Sequence, residues 1–274
     1  MHLRPNGAPG VPRKSPGPDP LHLSTMPRNP DRTAASSEQS AALAMILLRT
    51  PLLPNREQLL GAVGENRSLV VQQAYVTGIT LIVAGSPVMV GLMPIPVPWS
   101  NLERPCATAW WWPDAADVCR SANAHAVVFL KDDTLDVFER NLRITEATAL
   151  LLRANLDAVA VYWGAGTLLQ PRDAFIEQAD AASREYLQLY LWVDFRVEER
   201  SDPSRFYATT GLKALGLMEI ECTSTRNPME VVGLLFNVAH YLCDNGLVLK
   251  DGDTIGLSNR TFLLGPKADI SSWV

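Results

Sequence analysis

The feature that most constrains the fold of this chain is a succession of short apolar runs separated by segments with helical periodicity. From Ala44 onward, the first half of the sequence contains the runs "AMILL", "ITLIVA", "PVMVGL" and "HAVVFL". Each run has the length and composition of a strand. Helical segments follow the first and the third run, so the order is β-α-β-β-α-β. This order predicts an α+β protein built from a ferredoxin-like unit.

Local signals define several boundaries of these elements. Asn55 precedes "REQLLGAVGE" and belongs to the residue types that cap helix N-termini. Gly85-Ser86 separates two of the apolar runs and predicts a two-residue hairpin turn. Pro113 precedes "DAADVCRSA" and is compatible with the first turn of a helix.

The second half predicts a similar layer. A long helix near Thr134 to Arg153, the strand "AVAVYWG" and a helix near Arg172 to Arg184 come first. Strands at "LQLYLWVDFRV", "RFYATT" and "LGLMEIE" follow. A helix then begins at Pro228 and ends at Asn245-Gly246, before the strand "DTIGLS". We therefore expect two ferredoxin-like layers with antiparallel or mixed sheets and helices on one face, an expectation that rests on element order and not on sequence identity between the halves.

Three regions follow from this order. Residues 1–38 are predicted to be a disordered tail, since the first thirty residues hold eight of the twenty prolines and show no apolar periodicity. Residues 39–132 and 133–274 are predicted to form the two α+β layers. The tail lacks the apolar core of a secretory signal, and either Met1 or Met26 could be the start of the protein.

Composition excludes several classes of function. No stretch reaches the roughly 18 to 20 uncharged apolar residues that a transmembrane helix needs, so we expect no membrane insertion. The tail carries five Lys or Arg against three Asp or Glu, which leaves a formal charge of −7 on the rest of the chain. That part contains no basic run, which argues against nucleic-acid binding and weakly favours a basic protein partner. The four cysteines have no C-x-x-C spacing, which predicts reduced thiols in a cytoplasmic protein.

Asp251-Gly-Asp253 is a place where two carboxylates flank a glycine. Such a pair could hold a hard cation, but Asp-Gly is also a common pair in tight turns. A calcium loop would need alternating oxygen ligands and a distal glutamate, whereas no acidic residue follows before Asp269. We therefore favour a turn and expect neither a metal nor a cofactor.

Three consecutive tryptophans, Trp110, Trp111 and Trp112, form the best candidate for a binding segment, with Trp99 a short distance upstream. Adjacent side chains cannot all face one core, so at least one should lie at a surface or groove. Aromatic residues often anchor protein interfaces, although they also fill cores between helices and sheets. Both packing and recognition remain open for this segment.

Polar side chains also cluster in the predicted C-terminal sheet. Strand alternation places Asp194 and Arg196 on one face with Trp192, and Glu219 and Glu221 on one face of a later strand. If these strands are neighbours, Arg196 could pair with a carboxylate across the sheet. The set could be an exposed charged face or the floor of a pocket.

His240 lies in the predicted helix after Pro228, with Cys243 on the same helix face. A zinc site needs three or four ligands at recognisable intervals, and a nucleophilic triad needs an exposed serine or cysteine elbow. The chain has neither H-E-x-x-H nor G-x-S-x-G. We favour a buried helical pair and predict no catalytic residues.

The last third of the chain resembles a bacterial family known as domain of unknown function 4261. The segments that carry the resemblance are "LWVDFRV", "TTGLKALGLMEIE", "FNVAHYLCDNG" and "VLKDGDTIGLS". Upstream, "AWWWPDA", "AHAVVFL" and "VYWGAG" are similar to longer members. The family name implies no reaction, and it supplies no catalytic residues. Because such families are often encoded near polymorphic toxins, the resemblance implies an immunity or partner-binding role.

Two functional hypotheses therefore stand at this point. The first is a non-enzymatic cytoplasmic module that binds another protein, in a toxin-neutralising or stress-related role. The second is a small-molecule enzyme or sensor with a pocket between the halves, using Asp194, Arg196, Glu219, Glu221 and His240. Convergent polar groups in a closed cleft would favour the enzyme, and an exposed acidic or aromatic patch would favour the protein partner.

Overall fold

A computed structural model describes residues 41–64, 68–165, 167–246, 254–257 and 260–263. The strands are β1 (Ala41–Leu48), β2 (Leu69–Ala74), β3 (Gly78–Val83), β4 (Ser86–Met93), β5 (Ala124–Lys131), β6 (Ala158–Trp163), β7 (Leu168–Pro171), β8 (Asp194–Glu199), β9 (Arg205–Thr210), β10 (Glu221–Ser224), β11 (Thr254–Leu257) and β12 (Arg260–Leu263). The helices are α1 (Arg56–Val63), α2 (Trp99–Thr108), α3 (Ala115–Arg120), α4 (Val137–Ala154), α5 (Arg172–Ala181) and α6 (Pro228–Asn245). The α+β prediction is confirmed.

The main feature is a seven-stranded sheet in the order β2-β3-β4-β5-β1-β6-β7, in which every pair of neighbours is antiparallel. β1 lies between β5 and β6, where both of its edges are hydrogen-bonded. Its sequence, "AALAMILL", is apolar throughout, as expected for a strand that is covered on both faces.

Helices cover both faces of this sheet, so the expectation of helices on one face is wrong here. Ile46 and Leu48 of β1 belong to a large core that includes Ile144 and Leu150 of α4. Leu47, between them, belongs to a second apolar cluster that also contains Leu102 of α2 and Cys119 of α3. The physical reason is the unbroken apolar run of β1, which needs a partner on either side.

The C-terminal part adds a three-stranded antiparallel sheet, β10-β9-β8, and the long helix α6. The apolar residues of α6 join the large core. Beyond it, β11 and β12 form a two-stranded antiparallel sheet. Two ferredoxin-like layers are not confirmed, because β6, predicted as a strand of the second layer, and the unpredicted β7 extend the first sheet instead.

Several local predictions are confirmed at residue level. Asn55 caps α1 in a capping box with Gln58, and α6 begins at Pro228 and ends at Asn245. The β3–β4 hairpin turns at Ala84-Gly85, one residue earlier than predicted, with φ of 46° and 89°. Both values lie in the left-handed region, where glycine is the favoured residue.

Other elements differ from the prediction. β2, α2, β7 and β12 were not expected, and the long strand predicted at "LQLYLWVDFRV" begins only at Asp194, after a short 3-10 helix at Leu189–Leu191. The strand predicted at "LGLMEIE" is reduced to Glu221–Ser224. In the part of the chain that the structure describes, no helix combines the length and apolar character needed to cross a membrane. All four cysteines are free thiols.

Candidate functional site

The three consecutive tryptophans lie in the connection between α2 and α3, which we call the tryptophan platform (residues 109–114). Two tight turns shape it: the Trp110 amide donates to the Thr108 carbonyl and the Trp112 amide donates to the Ala109 carbonyl, each at 2.8 Å. The chain therefore changes direction at almost every residue. As a result, the three rings point into different surroundings.

Trp110 points toward the three-stranded sheet. Its indole Nε1 donates a hydrogen bond to the Phe195 carbonyl of β8 at 3.2 Å, and its ring packs partly against the large core. It also lines an open groove of about 590 Å³ between α2 and the strands β8 and β9. The other residues that line this first groove are Arg104, Ala107, Thr108, Val197, Glu198, Glu199, Arg205 and Pro228.

Trp112 points the other way, toward the seven-stranded sheet. It packs against the second apolar cluster and lines a second open groove of about 410 Å³. This second groove is also lined by Arg49, Val118, Leu156, Ala158, Val159, Pro171, Arg172, Asp173 and Ala174. Trp112 thus belongs to both a core and a surface.

Trp111 is the exposed member of the platform. Its side chain keeps 42% of its accessible surface, and its ring stacks on Trp112 at 6.3 Å between centroids and an angle of 27°. Trp99, at the start of α2, packs against the second cluster, and the Arg120 guanidinium lies 3.9 Å from its ring centroid. Trp99 therefore fixes α2 to α3, while Trp111 is free to meet another molecule.

The charges along the two grooves differ. In the first groove, Arg205 pairs with Glu199 at 2.8 Å and Arg104 approaches Glu198 at 4.0 Å. In the second, Arg172 contacts the neighbouring Asp173, and Arg49 adds a second cation. The first groove therefore has balanced charges, whereas the second has one more positive than negative side chain.

Asp194 and Arg196 are both buried, with 4% and 8% of their surface accessible. The Arg196 Nε donates to Asp194 Oδ2 at 2.7 Å, and a second guanidinium nitrogen donates to the Thr167 hydroxyl in the β6–β7 turn. The expected bridge across the sheet is not found, because β9 lies between β8 and β10. Trp192 precedes β8, and its Nε1 donates to the Thr145 hydroxyl at 2.9 Å.

This buried ion pair connects three elements. Burial raises the pKa of Asp194 to about 6, and the hydrogen bonds and charge of Arg196 and the Thr108 hydroxyl act in the opposite direction. Burial also raises the pKa of Tyr162 in β6, an effect that Arg196 opposes. Thr167 has a φ of 49°, a strained value for a β-branched residue. The pair therefore holds the β6–β7 turn and α2 against β8.

Glu219 caps a turn. Its carboxylate accepts hydrogen bonds from the amides of Gly211 at 2.9 Å and Lys213 at 3.0 Å, and from the Thr209 hydroxyl at 2.9 Å. Glu221, two residues later, begins β10 with an exposed side chain. The two glutamates therefore have different surroundings, and Glu219 has a structural role that explains its position.

His240 lies on α6 within a group of aromatic rings. Its ring is 4.6 Å from Phe236 and 6.4 Å from Tyr186, measured between centroids. Burial lowers the pKa of His240, while the charge of Asp244 and a hydrogen bond to the Leu187 backbone raise it. Cys243 is buried in the large core. His240 is therefore a packed residue whose burial disfavours its charged form.

The polar residues that sequence analysis selected each have separate partners. Asp194 binds Arg196, Glu219 caps the turn at Gly211, and His240 packs in an aromatic group. Within the described residues, no group of three His, Cys, Asp or Glu side chains is placed to hold a metal. The Asp251-Gly-Asp253 segment lies outside the described residues, so its interpretation as a turn stays a prediction.

The two grooves beside the platform were not anticipated from the sequence. The first groove depends on α2, which was not predicted because Pro105 interrupts its pattern. A usable signal was present, since Leu102, Pro105 and Thr108 recur every three residues and are all buried.

Comparison with known proteins gives a single result. No curated protein and no solved structure matches this chain. One family model matches a C-terminal segment that includes the end of β9, β10, α6 and both strands of the small C-terminal sheet. This match confirms the family resemblance of this part of the chain. Residues 208–265 match the family model described as a domain of unknown function, DUF4261.

Proposed function

We propose that this protein is a non-enzymatic module that binds another protein through the tryptophan platform. The observation that carries this proposal is the arrangement of the three rings. Trp110 and Trp112 line two open grooves, and Trp111 between them is exposed. An exposed aromatic ring held by packed neighbours is pre-organised, so it loses little conformational entropy when it anchors a partner.

The surroundings of the platform support a protein as the ligand. Both grooves are partly open to solvent, whereas small-molecule sites enclose most of the ligand surface. Each groove is lined by an aromatic ring together with short apolar side chains and charged side chains. Protein interfaces combine the same kinds of side chain.

The alternative, an enzyme or sensor that uses Asp194, Arg196, Glu219, Glu221 and His240, has less support. Asp194 and Arg196 are bound to each other, and the Glu219 carboxylate accepts several hydrogen bonds from its own turn. His240 packs between aromatic rings. These groups would have to leave their partners before they could act on a substrate.

We further propose a basic protein as the partner and a toxin-neutralising or stress-related role for the binding. The formal charge of −7 outside the first 38 residues would steer a basic protein toward this molecule, although the charges that line the first groove are balanced and the second groove has one excess positive side chain. The family resemblance implies a toxin-neutralising form of this binding, and we include a stress-related role in the cytoplasm as the other setting of the proposal.

The proposal is tested by affinity capture from a lysate with three forms of the full chain. These are the unmodified protein, Trp111→Ala, and the matched control Tyr75→Ala, which removes an exposed aromatic ring from the β2–β3 turn. We expect a protein retained by the unmodified chain and by Tyr75→Ala, and lost with Trp111→Ala. Identical retention by all three forms would contradict the proposal.

A further inference from the structure

Two of the four cysteines lie on the sides of α2 and α3 that meet the second apolar cluster. Trp99, Leu102 and Cys106 follow one another on α2 at intervals of three and four residues, so they share one helix face. Cys119 is a buried residue of α3. All four side chains belong to that cluster or pack against it. Both thiols are therefore held between the helices and the seven-stranded sheet.

The two thiols are in contact, because the Cys106 and Cys119 side chains share a hydrogen bond. A second contact fixes the same pair of helices, since the Arg120 guanidinium lies 3.9 Å from the Trp99 ring centroid. Arg120 follows Cys119 directly, and Trp99 lies on the helix face of Cys106. A disulfide has a sulfur–sulfur distance of about 2.05 Å, so it needs only a further approach of two side chains that already touch.

The two thiols differ in their access to solvent. Cys106 is partly exposed, whereas Cys119 keeps 3% of its surface accessible. Burial is the largest cause that raises the pKa of each thiol. At Cys106 the hydrogen bond with Cys119 and the charge of Arg120 oppose this rise, whereas at Cys119 the neighbouring Cys106 adds to it. An oxidant therefore reaches Cys106 first, and Cys106 also forms its thiolate more readily.

We propose that Cys106 and Cys119 form an oxidisable dithiol site that a small hydroperoxide converts into a disulfide. The Cys106 thiolate attacks the peroxide, so that a sulfur–oxygen bond forms and the oxygen–oxygen bond breaks. The departing alkoxide, or hydroxide from hydrogen peroxide, takes up the Cys106 proton. Cys119 then attacks the Cys106 sulfur, a sulfur–sulfur bond forms, and hydroxide leaves with the Cys119 proton as water. The two sulfur atoms together lose two electrons, which the peroxide gains.

The disulfide would close a loop that contains the whole tryptophan platform, since residues 109–114 lie between the two cysteines. A link between α2 and α3 restricts the unfolded chain more than the folded one, so oxidation should raise the midpoint of thermal unfolding. The thiol chemistry needs no partner protein. Its outcome is therefore independent of the binding role proposed for the platform.

The experiment treats the full, folded chain with hydrogen peroxide, alkylates the remaining thiols after unfolding, and cleaves the chain with an aspartate-specific protease. Cleavage at Asp114 separates the two cysteines, so their disulfide leaves two joined peptides that reduction releases. Cys222 and Cys243, both buried in the large core, are the internal controls. We expect the joined peptide, at least about tenfold faster loss of alkylation at the proposed pair than at the controls, and an unfolding midpoint that rises on oxidation and returns on reduction.

Two variants test the order of the steps. In Cys119→Ala the reaction should stop at the sulfenic acid of Cys106, which dimedone traps, and in Cys106→Ala peroxide should leave Cys119 unmodified. Absence of the joined peptide from the oxidised, unmodified chain would overturn the proposal. So would a sulfinic acid on Cys106 beside a reduced Cys119, because that result would show that the second thiol does not reach the first. Dimedone bound to Cys119 in Cys106→Ala would overturn the order of attack.

Discussion

The tryptophan platform exposes a large apolar side chain, whereas strand β8 buries two charged ones. At the platform, the large apolar Trp111 keeps 42% of its surface accessible, and it lies only one residue from a ring that packs in the core. In β8, the charged side chains of Asp194 and Arg196 keep 4% and 8%. The two regions are in contact, since the Trp110 indole donates to the Phe195 carbonyl between the two charged residues.

This difference shows that residue type alone does not decide burial in this protein. The ion pair is buried because α2 and the β6–β7 turn cover that face of β8. There the Arg196 guanidinium donates hydrogen bonds to the Asp194 carboxylate and to the Thr167 hydroxyl. Trp111 is exposed, while its two neighbours pack partly against the two apolar clusters on either side of the turn. Burying Asp194 or Arg196 without its partner would cost free energy, because a buried charge loses its hydration. Exposing a single aromatic ring such as Trp111 is common in folded proteins.

The largest effect is expected from breaking the buried pair. Arg196→Ala leaves the Asp194 carboxylate buried without its cation, and it should lower the free energy of unfolding by about 3 to 5 kcal/mol. Denaturation by urea measures this change. The double variant Asp194→Leu with Arg196→Met removes both charges and should cost much less. Equal losses in the single and double variants would show that packing, and not the unpaired charge, causes the effect.

The next effect separates two adjacent tryptophans. Trp110→Ala removes partly buried packing and the hydrogen bond to Phe195, and should lower the free energy of unfolding by about 2 to 3 kcal/mol. Trp111→Ala should change it by no more than about 0.5 kcal/mol, because the ring is exposed. Urea denaturation of both variants tests this difference. A similar loss for the two would mean that Trp111 is part of the core.

A smaller effect is expected at Glu219. Glu219→Ala leaves the amides of Gly211 and Lys213 without their acceptor, and should cost about 1 to 2 kcal/mol of unfolding free energy. Glu219→Gln keeps one acceptor oxygen and serves as the matched control. The assignment of Glu219 as a structural cap fails if the alanine variant is as stable as the unmodified protein.

A separate effect is a change in the pH dependence of stability. Burial raises the pKa of Asp194 from 3.8 to about 6, so the folded state binds a proton at Asp194 more tightly than the unfolded state does. The contribution of this proton to the free energy of unfolding is therefore lost as pH rises from about 4 to 6. Burial lowers the pKa of His240, so its contribution is lost as pH falls below 6.5. The free energy of unfolding is measured across this pH range. Asp194→Asn should abolish the decrease between about pH 4 and 6, and His240→Phe should abolish the loss below pH 6.5. Unaltered slopes would contradict these assignments.

The sequence predicted elements well where local chemistry decides them. The Asn55 cap, the start of α6 at Pro228 and the hairpin near Gly85 follow from short-range preferences. The order of strands could not be predicted, because β6 and β7 join the first sheet through contacts far apart in the chain. The short β7 also offers only four residues and no alternation.

The site was predicted only in part for a similar reason. Alternation correctly placed Asp194 and Arg196 on one side of β8, but it contains no information on what covers that side. The rule that three adjacent tryptophans cannot share one core anticipated an exposed ring. Which ring it is depends on the turns at Thr108 and Ala109, and these follow from the end of α2.

The binding role of the tryptophan platform is tested most directly by measuring the affinity of the captured partner for Trp111→Ala and for the Tyr75→Ala control. We predict a loss of at least about 2 kcal/mol, or roughly thirtyfold in the dissociation constant, for Trp111→Ala at unchanged monomer stability, and no loss for the control. The affinity should also weaken with added salt if the partner is basic. Equal affinity of the unmodified chain and Trp111→Ala for the same partner would contradict the account.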